Sequence, residues 1–342
     1  MPRLRILMIG IGQRALNDYI PAFSELSQEV EFAGACDIDP TAESRLHQAL
    51  LRHGNMSPPR FFTEYTDAMD WVRPDIAIVA TPHNTHLGIA HELLDRGVPF
   101  LKEKPFAMAM AEAEEIARLI EKSQGYMRLC LQRRKHPLYI HAREALARIG
   151  RIRHFEATYQ LNADAYRVGW RARHETSGGG AIIDMGYHLI DVLQWFFGPP
   201  ATVYATTAPK MIPSGAYEVE ETVLANLTYA SGAAGTLRLS LCETRKDEFI
   251  TVYGTEGYMR LTRKSFDRFD GKNHHVEHLD GDPASASALN MLCETITGIP
   301  GRQGVELEVS SGLEVTSTID AFYRSLASKH PVQPIRWEAQ SA

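Results

Sequence analysis

Residues 4–15 read "LRILMIGIGQRA". Leu4 to Ile9 form a short, mostly apolar run of the kind that makes a buried strand, and it breaks into Gly10, Gly12 and Ala15. This is the G-x-G-x-x-G/A spacing. The first glycine permits a tight turn, the second lets backbone approach a pyrophosphate, and the small third residue lets a helix pack close to the strand. A helix starting here offers unpaired N–H groups to phosphates. Gln13 and Arg14 lie within the turn. A second apolar run, Phe32 to Cys36, ends at Asp37, 22 residues past Ala15, where a carboxylate can hydrogen-bond an adenine ribose 2′-OH. Strand, glycine turn, helix and acidic strand end together predict dinucleotide binding. Asp37 would repel a 2′-phosphate, and Ile38 rather than an arginine follows it. NAD is therefore expected over NADP, with Arg14 able to offset that preference.

Outward from this turn the same alternation continues. "DIAIVATP" (75–82), "VPFL" (98–101) and "MRLCLQ" (127–132) are strand-like, and Ala42 to Arg52, Leu87 to Arg96 and Ala109 to Ser123 carry apolar residues at helical spacing. Near-continuous apolar strands alternating with helices predict a parallel sheet covered on both faces. After about residue 150 the pattern changes. "RIRHFEATYQ", "TVYATTA", "ETVLANLTY", "GAAGTLRLSL" and "FITVYGTEGYMRL" read as strands, with Leu237, Leu239 and Leu241 opposite Thr236, Arg238 and Ser240. A period of two predicts an antiparallel sheet with one buried face. Two later helices are expected, at Ala284 to Thr297 and Ser311 to Ser328. The expected fold class is an α/β Rossmann domain over residues 1–125, followed by an α+β domain over 126–342 with a large, mostly antiparallel open sheet.

Composition limits the function. The chain has 342 residues, more than one typical core holds, with 44% apolar residues, 23% charged residues and a formal net charge of −6. An electrostatic nucleic-acid binder would be basic. No apolar run reaches the roughly 18 residues needed to span a bilayer, and the N-terminus enters a strand without a signal-peptide cleavage pattern. Cys36, Cys130, Cys242 and Cys293 are far apart in sequence and lie in apolar segments. Buried free thiols and a cytoplasmic location are expected.

Two stretches carry candidate chemistry. In "VPFLKEKPF" (98–106) a strand runs into Lys102, Glu103 and Lys104 and then Pro105; the charges read either as a solvated strand end or as a lysine aimed at a ligand. In "TSGGGAIIDMGYHLIDVLQWFFG" (176–198) a helix from Ala181 to Phe197 is apolar on nearly every side, so it is buried. Asp184, His188 and Asp191 share one face of it. Buried ionisable groups need partners or a ligand. For Asp191 a core network is the better reading; Asp184 and His188 suit proton transfer. Gly178 to Gly180 precede the helix, as where backbone passes close to another element or a ligand.

These motifs resemble the Gfo/Idh/MocA oxidoreductases, which include glucose–fructose oxidoreductase and inositol dehydrogenases. The resemblance rests on "GIGQRA", "ATPHNTH", "EKP" at 103–105 and "GGGAIIDMGYHLIDVLQW", which follow the family's order over about residues 5–198. It implies that Lys104 stands beside nicotinamide and substrate and that Asp184 and His188 complete the catalytic set, all three also contacting substrate. It further implies cofactor contacts at Gly10, Gly12, Gln13, Arg14, Asp37, Thr81, Pro82, Asn84, His86, Glu103, Lys104 and Gln132, although Gln132 stands where an asparagine is common. A Trp-Arg pair often stands where Trp170 and Arg171 do, which makes them the specificity candidates; Arg167 and Arg173 flank them. The implied activity is NAD-dependent hydride transfer to or from a sugar, cyclic polyol or ketosugar, by a homodimer or homotetramer. Lys104 would stabilise a developing alkoxide and His188 exchange its proton. Two other readings stay open: a non-catalytic NAD or sugar sensor, which should lack the Lys/Asp/His set, and an NAD-assisted glycosidase, which would regenerate its cofactor. No metal is expected; "NHHVEH" (273–278) reads as turn-like, and His83 and His86 as loop or cofactor-edge residues. The sequence leaves open whether the bond before Pro105 is cis.

Overall fold

A computed structural model describes residues 3–53, 56–163, 168–211, 217–282, 288–301 and 303–336. The chain divides into two compact units.

The first unit comprises residues 1–107, 111–132 and 287–310. Its strands are β1 (Leu4–Ile9), β2 (Val30–Cys36), β3 (Arg60–Phe62), β4 (Ile76–Val79), β5 (Phe100–Lys102) and β6 (Met127–Leu129). They form one parallel sheet in the order β3-β2-β1-β4-β5-β6. That order is the doubly wound dinucleotide-binding arrangement, with the winding reversing between β1 and β4. The helices are α1 (Ile20–Glu25), α2 (Ala42–Arg52), α3 (Tyr65–Val72), α4 (His86–Asp95) and α5 (Met110–Ser123). Strand β1 and helix α2 have the expected bounds. Strand β3 and helix α3 are absent from the expected elements; the three residues of β3, "RFF", set no periodicity, and α3 has only three buried residues, Ala68, Met69 and Val72, to mark its face. The glycine turn leads into wide π-type turns over Ala15–Tyr19 just ahead of Pro21, whose missing N–H breaks the ordinary ladder. Residues 287–310 return to this unit: Ala288, Met291 and Leu292 join Phe23, Phe32, Leu46 and Ile76 in its core.

The second unit comprises residues 108–110, 133–286 and 311–342. Its strands are β7 (Ile152–Asn162), β8 (Thr202–Thr207), β9 (Thr222–Thr228), β10 (Ala234–Ser240), β11 (Cys242–Gly254), β12 (Gly257–Thr262), β13 (Ser265–Asp270) and β14 (His275–Asp280). The sheet runs β14-β13-β12-β11-β7-β10-β9-β8 and is antiparallel except for the β7–β10 pair. Leu237 and Leu239 are buried as the alternation predicts, but Ser240 is buried too, held by Thr222 at 2.8 Å between hydroxyls. Helices α6 (Pro137–Ala145), α7 (His174–Ser177) and α8 (Tyr187–Phe197) belong here; α9 (Ala288–Gly298) belongs to the first unit; α10 (Val305–Ser328) begins six residues earlier than expected. Residues 284–287 of the expected helix, and Arg167, lie outside the described residues. Arg133 is buried against Glu248 in a two-pronged ion pair at 2.6 and 2.8 Å, with Tyr139 donating to the same carboxylate at 2.7 Å.

Two expectations need correction. "NHHVEH" is not all turn: only Asn273 and His274 precede β14, and His275 to His278 are strand, because Asp270 accepts the turn's N–H groups and starts a hairpin. Of the four free cysteines, Cys36, Cys130 and Cys242 are buried, but Cys293 on α9 is half-exposed.

Candidate active site

In the first unit the expected cofactor residues gather at one edge. Parallel strands all point the same way, so Gly10–Arg14 after β1, Asp37 after β2, Thr81–Asn84 after β4, Lys104 after β5 and Gln132 after β6 lie at the carboxyl end of the sheet, where such folds bind ligands. Gly10 has φ +94°, and a β-carbon there would sit 2.6 Å from the Ala80 carbonyl oxygen, so only glycine fits. At Gly12 a β-carbon would meet nothing within 4 Å; the space beside this exposed backbone is open, as a pyrophosphate needs. Asp37 Oδ2 accepts from the Ile11 N–H at 2.7 Å and Oδ1 from the Asp39 N–H at 2.9 Å. The carboxylate thus pins the glycine turn. Gln13 and Asn84 are exposed and Thr81 and Pro82 half-buried. These residues fit NAD.

Arg14 is a hub, not a free cation. Its Nε donates to Glu103 Oε1 at 2.7 Å, and Nη1 lies 2.9 Å from Asp18. Gln132, oriented to satisfy both amide ends, accepts from Arg14 at 3.3 Å and donates to the Cys130 carbonyl at 3.2 Å. Tyr19 donates to the same Glu103 oxygen at 2.8 Å. The Arg14 charge is thus already shared between Glu103 and Asp18. Burial alone would raise the Glu103 carboxyl, but the Arg14 charge and the hydrogen bonds from Arg14 and Tyr19 hold it below its ordinary value.

The three charges of "KEK" take three different roles. Lys102 closes β5 and is fully buried. Its Nζ donates to His86 Nδ1 at 3.0 Å, to the Glu103 carbonyl at 3.3 Å and to the Pro105 carbonyl. His86, 2% exposed, places Nε2 3.0 Å from the Thr81 carbonyl. Burial pushes the Lys102 ammonium down to about 7; burial and then the Lys102 charge push His86 well below its ordinary value. His86 is thus an internal strut, with both ring nitrogens engaged inside the unit, and not the cofactor-edge residue expected. His83 is buried as well. Lys104 alone is half-exposed, and its bond to Pro105 is cis. The sequence reading passed over Lys102, whose only signal was its place as the last residue of a strand buried on both faces.

In the second unit the expected helix begins as a π-type turn over Ala181–Gly186 and continues as α8. Glu220, which the sequence reading did not single out, sets its start: the carboxylate accepts from the Gly180 and Ile182 N–H groups at 3.0 and 2.9 Å and from the Tyr323 hydroxyl at 3.1 Å. An anion there satisfies N–H groups that a helix start leaves unpaired. A β-carbon on Gly179 would fall 1.8 Å from that hydroxyl. Asp184 is 4% exposed and accepts from Arg171 Nε at 2.9 Å. The Arg171 guanidinium in turn lies over the Trp170 ring, 4.2 Å from its centre. The structure thus brings Trp170, Arg171 and Asp184 together. His188, one turn further on, is half-buried. Asp191 is a core ion-pair residue, as read: Arg134 grips it at 2.6 and 3.0 Å and also donates to Ser311 at 3.1 Å. Burial pushes its carboxyl up despite Arg134.

Comparison with known proteins agrees with this fold. Residues 4–129 match the oxidoreductase family with an NAD-binding Rossmann fold, and residues 139–260 match the GFO/IDH/MocA C-terminal domain. The rhizopine catabolism protein MocA of Rhizobium meliloti is 28% identical over 262 residues, 75% of this chain and 78% of its own. The fold is that of the WlbA dehydrogenase from Bordetella pertussis in complex with NADH and UDP-GlcNAcA, with TM-score 0.81 and 22% identity over 98% of this chain and 100% of that one. It is also that of levoglucosan dehydrogenase in complex with NADH and levoglucosan, with TM-score 0.83 and 18% identity over 98% and 100% of the two chains. With a glycine turn and sheet order that fit NAD, and both of its family's domains in sequence, the chain belongs to the GFO/IDH/MocA family of NAD-binding oxidoreductases.

Proposed function

We propose that the protein is an NAD-dependent dehydrogenase or reductase acting on a hydroxyl or keto carbon of a sugar, cyclic polyol or ketosugar, with Lys104, Asp184 and His188 as its catalytic residues. The observation that carries this is the Arg171–Asp184 pair at 2.9 Å on the helix that also bears His188. The ion pair fixes one carboxylate oxygen, Oδ2, of Asp184. Bound NAD would supply the hydride acceptor. Gly10, Gly12, Gln13, Asp37, Thr81, Pro82 and Asn84 hold the cofactor, with Arg14, Glu103 and Gln132 supporting the turn from behind. The Lys104 ammonium stabilises negative charge on the substrate oxygen. His188 takes the hydroxyl proton in oxidation and returns it in reduction. Asp184 binds a neighbouring hydroxyl or orients the ring, and Arg171 and Trp170 select the substrate. WlbA with UDP-GlcNAcA and levoglucosan dehydrogenase with levoglucosan, by their ligands, support a sugar-class substrate. The free, mostly buried thiols suit a reducing cytoplasm, and the broad second-unit sheet suits assembly as a homodimer or homotetramer. Among the described residues no helix is long and apolar enough to cross a membrane.

The test is NADH formation over a panel of sugars, polyols and nucleotide sugars, with Lys104→Met and His188→Asn alongside. Both variants should bind NAD and lose turnover by about 10²–10⁴-fold. Folded variants with unimpaired turnover would refute the assignment. Substrate conversion without net NADH would favour an NAD-assisted glycosidase.

A further inference from the structure

Strands β13 and β14 bring two histidines and an aspartate to one point. Asp267 Oδ1 lies 3.0 Å from His275 Nε2 and 2.7 Å from His278 Nδ1, and the three ligand atoms all fall within 4.8 Å of one another. In a regular strand residues three apart face opposite sides of the sheet. Here the ladder slips: Arg268 pairs with Glu277, but Phe269 pairs with His275, so Val276 is an extra residue in β14. This bulge turns His275 to the face that His278 and Asp267 share. Bulges re-aim side chains in this way and recur beside functional sites. Glu277, on β14 between the two histidines, belongs to a separate network with Arg268 at 2.8 Å and His141 at 2.9 Å. It leaves the cluster to its own three ligands.

We infer that Asp267, His275 and His278 form a binding site for a divalent transition metal of the zinc class. Two imidazoles and one carboxylate are the donor set that such borderline ions prefer. Bond lengths of about 2.0–2.2 Å put tetrahedral ligand atoms about 3.3 Å apart, so small rotations of exposed side chains suffice to close the site. Asp280 stands behind it: its Oδ1 lies 3.3 Å from His278 Nε2. With Nδ1 on the metal, Nε2–H donates to Asp280, the outer carboxylate that fixes a metal-bound histidine's tautomer and orientation. Three protein ligands leave the fourth position of a tetrahedral ion to water. It ties β14, the last strand of the sheet, to β13.

Tag-free, EDTA-treated full-length protein titrated with zinc chloride should take up one equivalent by calorimetry, and zinc should raise its melting temperature. His275→Ala and His278→Ala should each weaken binding by more than about 100-fold and abolish the thermal shift; Asp280→Asn should weaken it about tenfold. His274→Ala, in the turn, should leave binding unchanged. The inference fails if the wild-type protein takes up no zinc. It fails equally if the His275→Ala/His278→Ala protein binds zinc as the wild type does, since the ion would then sit on other histidines or cysteines.

Discussion

Lys102 Nζ lies 3.0 Å from His86 Nδ1, and both side chains are buried. The contact joins the turn after β5, which carries Lys104, to the loop after β4 through His86 and the Thr81 carbonyl. Lys102→Met keeps the unbranched apolar stem and removes Nζ with its three hydrogen bonds. With the turn freed, turnover should fall by up to about 10²-fold, the effect of a small misplacement of a reacting group, while NAD affinity changes less. Unchanged turnover would show that the turn holds its shape without the strut.

The same lysine gives a pH signature. Its folded pKa is lowered from 10.5 to about 7, so between those values the unfolded chain binds the extra proton. Stability contributed by this group therefore rises with pH from about 7 towards 10.5 and is lost as pH falls through 7. The difference in melting temperature between wild type and Lys102→Met should move in favour of the wild type from pH 7 to pH 9. A constant difference would place the ammonium in a better-solvated setting.

Arg14→Met removes the partner of a buried carboxylate. Leaving Glu103 unpaired should cost about 3 kcal/mol, read by urea denaturation, and Arg14→Met/Glu103→Gln should recover part of it. Because the Glu103 pKa is lowered on folding, its contribution is present above the ordinary carboxyl range and is lost as pH falls. The stability gap between wild type and Glu103→Gln should therefore shrink in acid.

Asp37 does two jobs, and two substitutions separate them. Asp37→Asn can still accept the Ile11 N–H but carries no charge and has one acceptor oxygen where Asp37 uses two, so it should narrow the preference for NAD over NADP while losing less stability than Asp37→Ala. Asp37→Ala should also loosen the glycine turn and weaken both cofactors. Fluorescence titration measures each affinity, and tighter NADP binding by the wild type would overturn the ribose assignment.

Arg171→Lys keeps the charge but not the Nε–H that holds Asp184 at 2.9 Å. Since Arg and Lys differ in donor geometry, KM for the sugar should rise and turnover should fall about tenfold, with KM for NAD unmoved. A variant that only melts lower, with its kinetics per folded molecule intact, would make the pair structural.

Local pattern determined the nucleotide-binding half of the first unit, but not the return of residues 287–310 to its core. The strand, glycine turn and aspartate of residues 4–37 declare themselves because each step is a short-range rule: apolar strand, positive φ at Gly10, close backbone approach, acidic strand end. The buried helix carrying Asp184, His188 and Asp191 was legible for the same reason, since an apolar helix with three ionisable residues on one face has few readings. Tertiary structure decided what those groups touch. Nothing near Asp184 in sequence announces Arg171 as its partner, and nothing near residue 102 announces that the first lysine of "KEK" turns inward while the third stays half-exposed. Partner choice depends on which segments lie side by side, and that is set by sheet order and packing over many residues. The β13–β14 hairpin makes the point most clearly: "NHHVEH" has turn-like composition, and only the ladder with β13, with its one-residue slip, makes it a strand and gathers Asp267, His275 and His278 on one face.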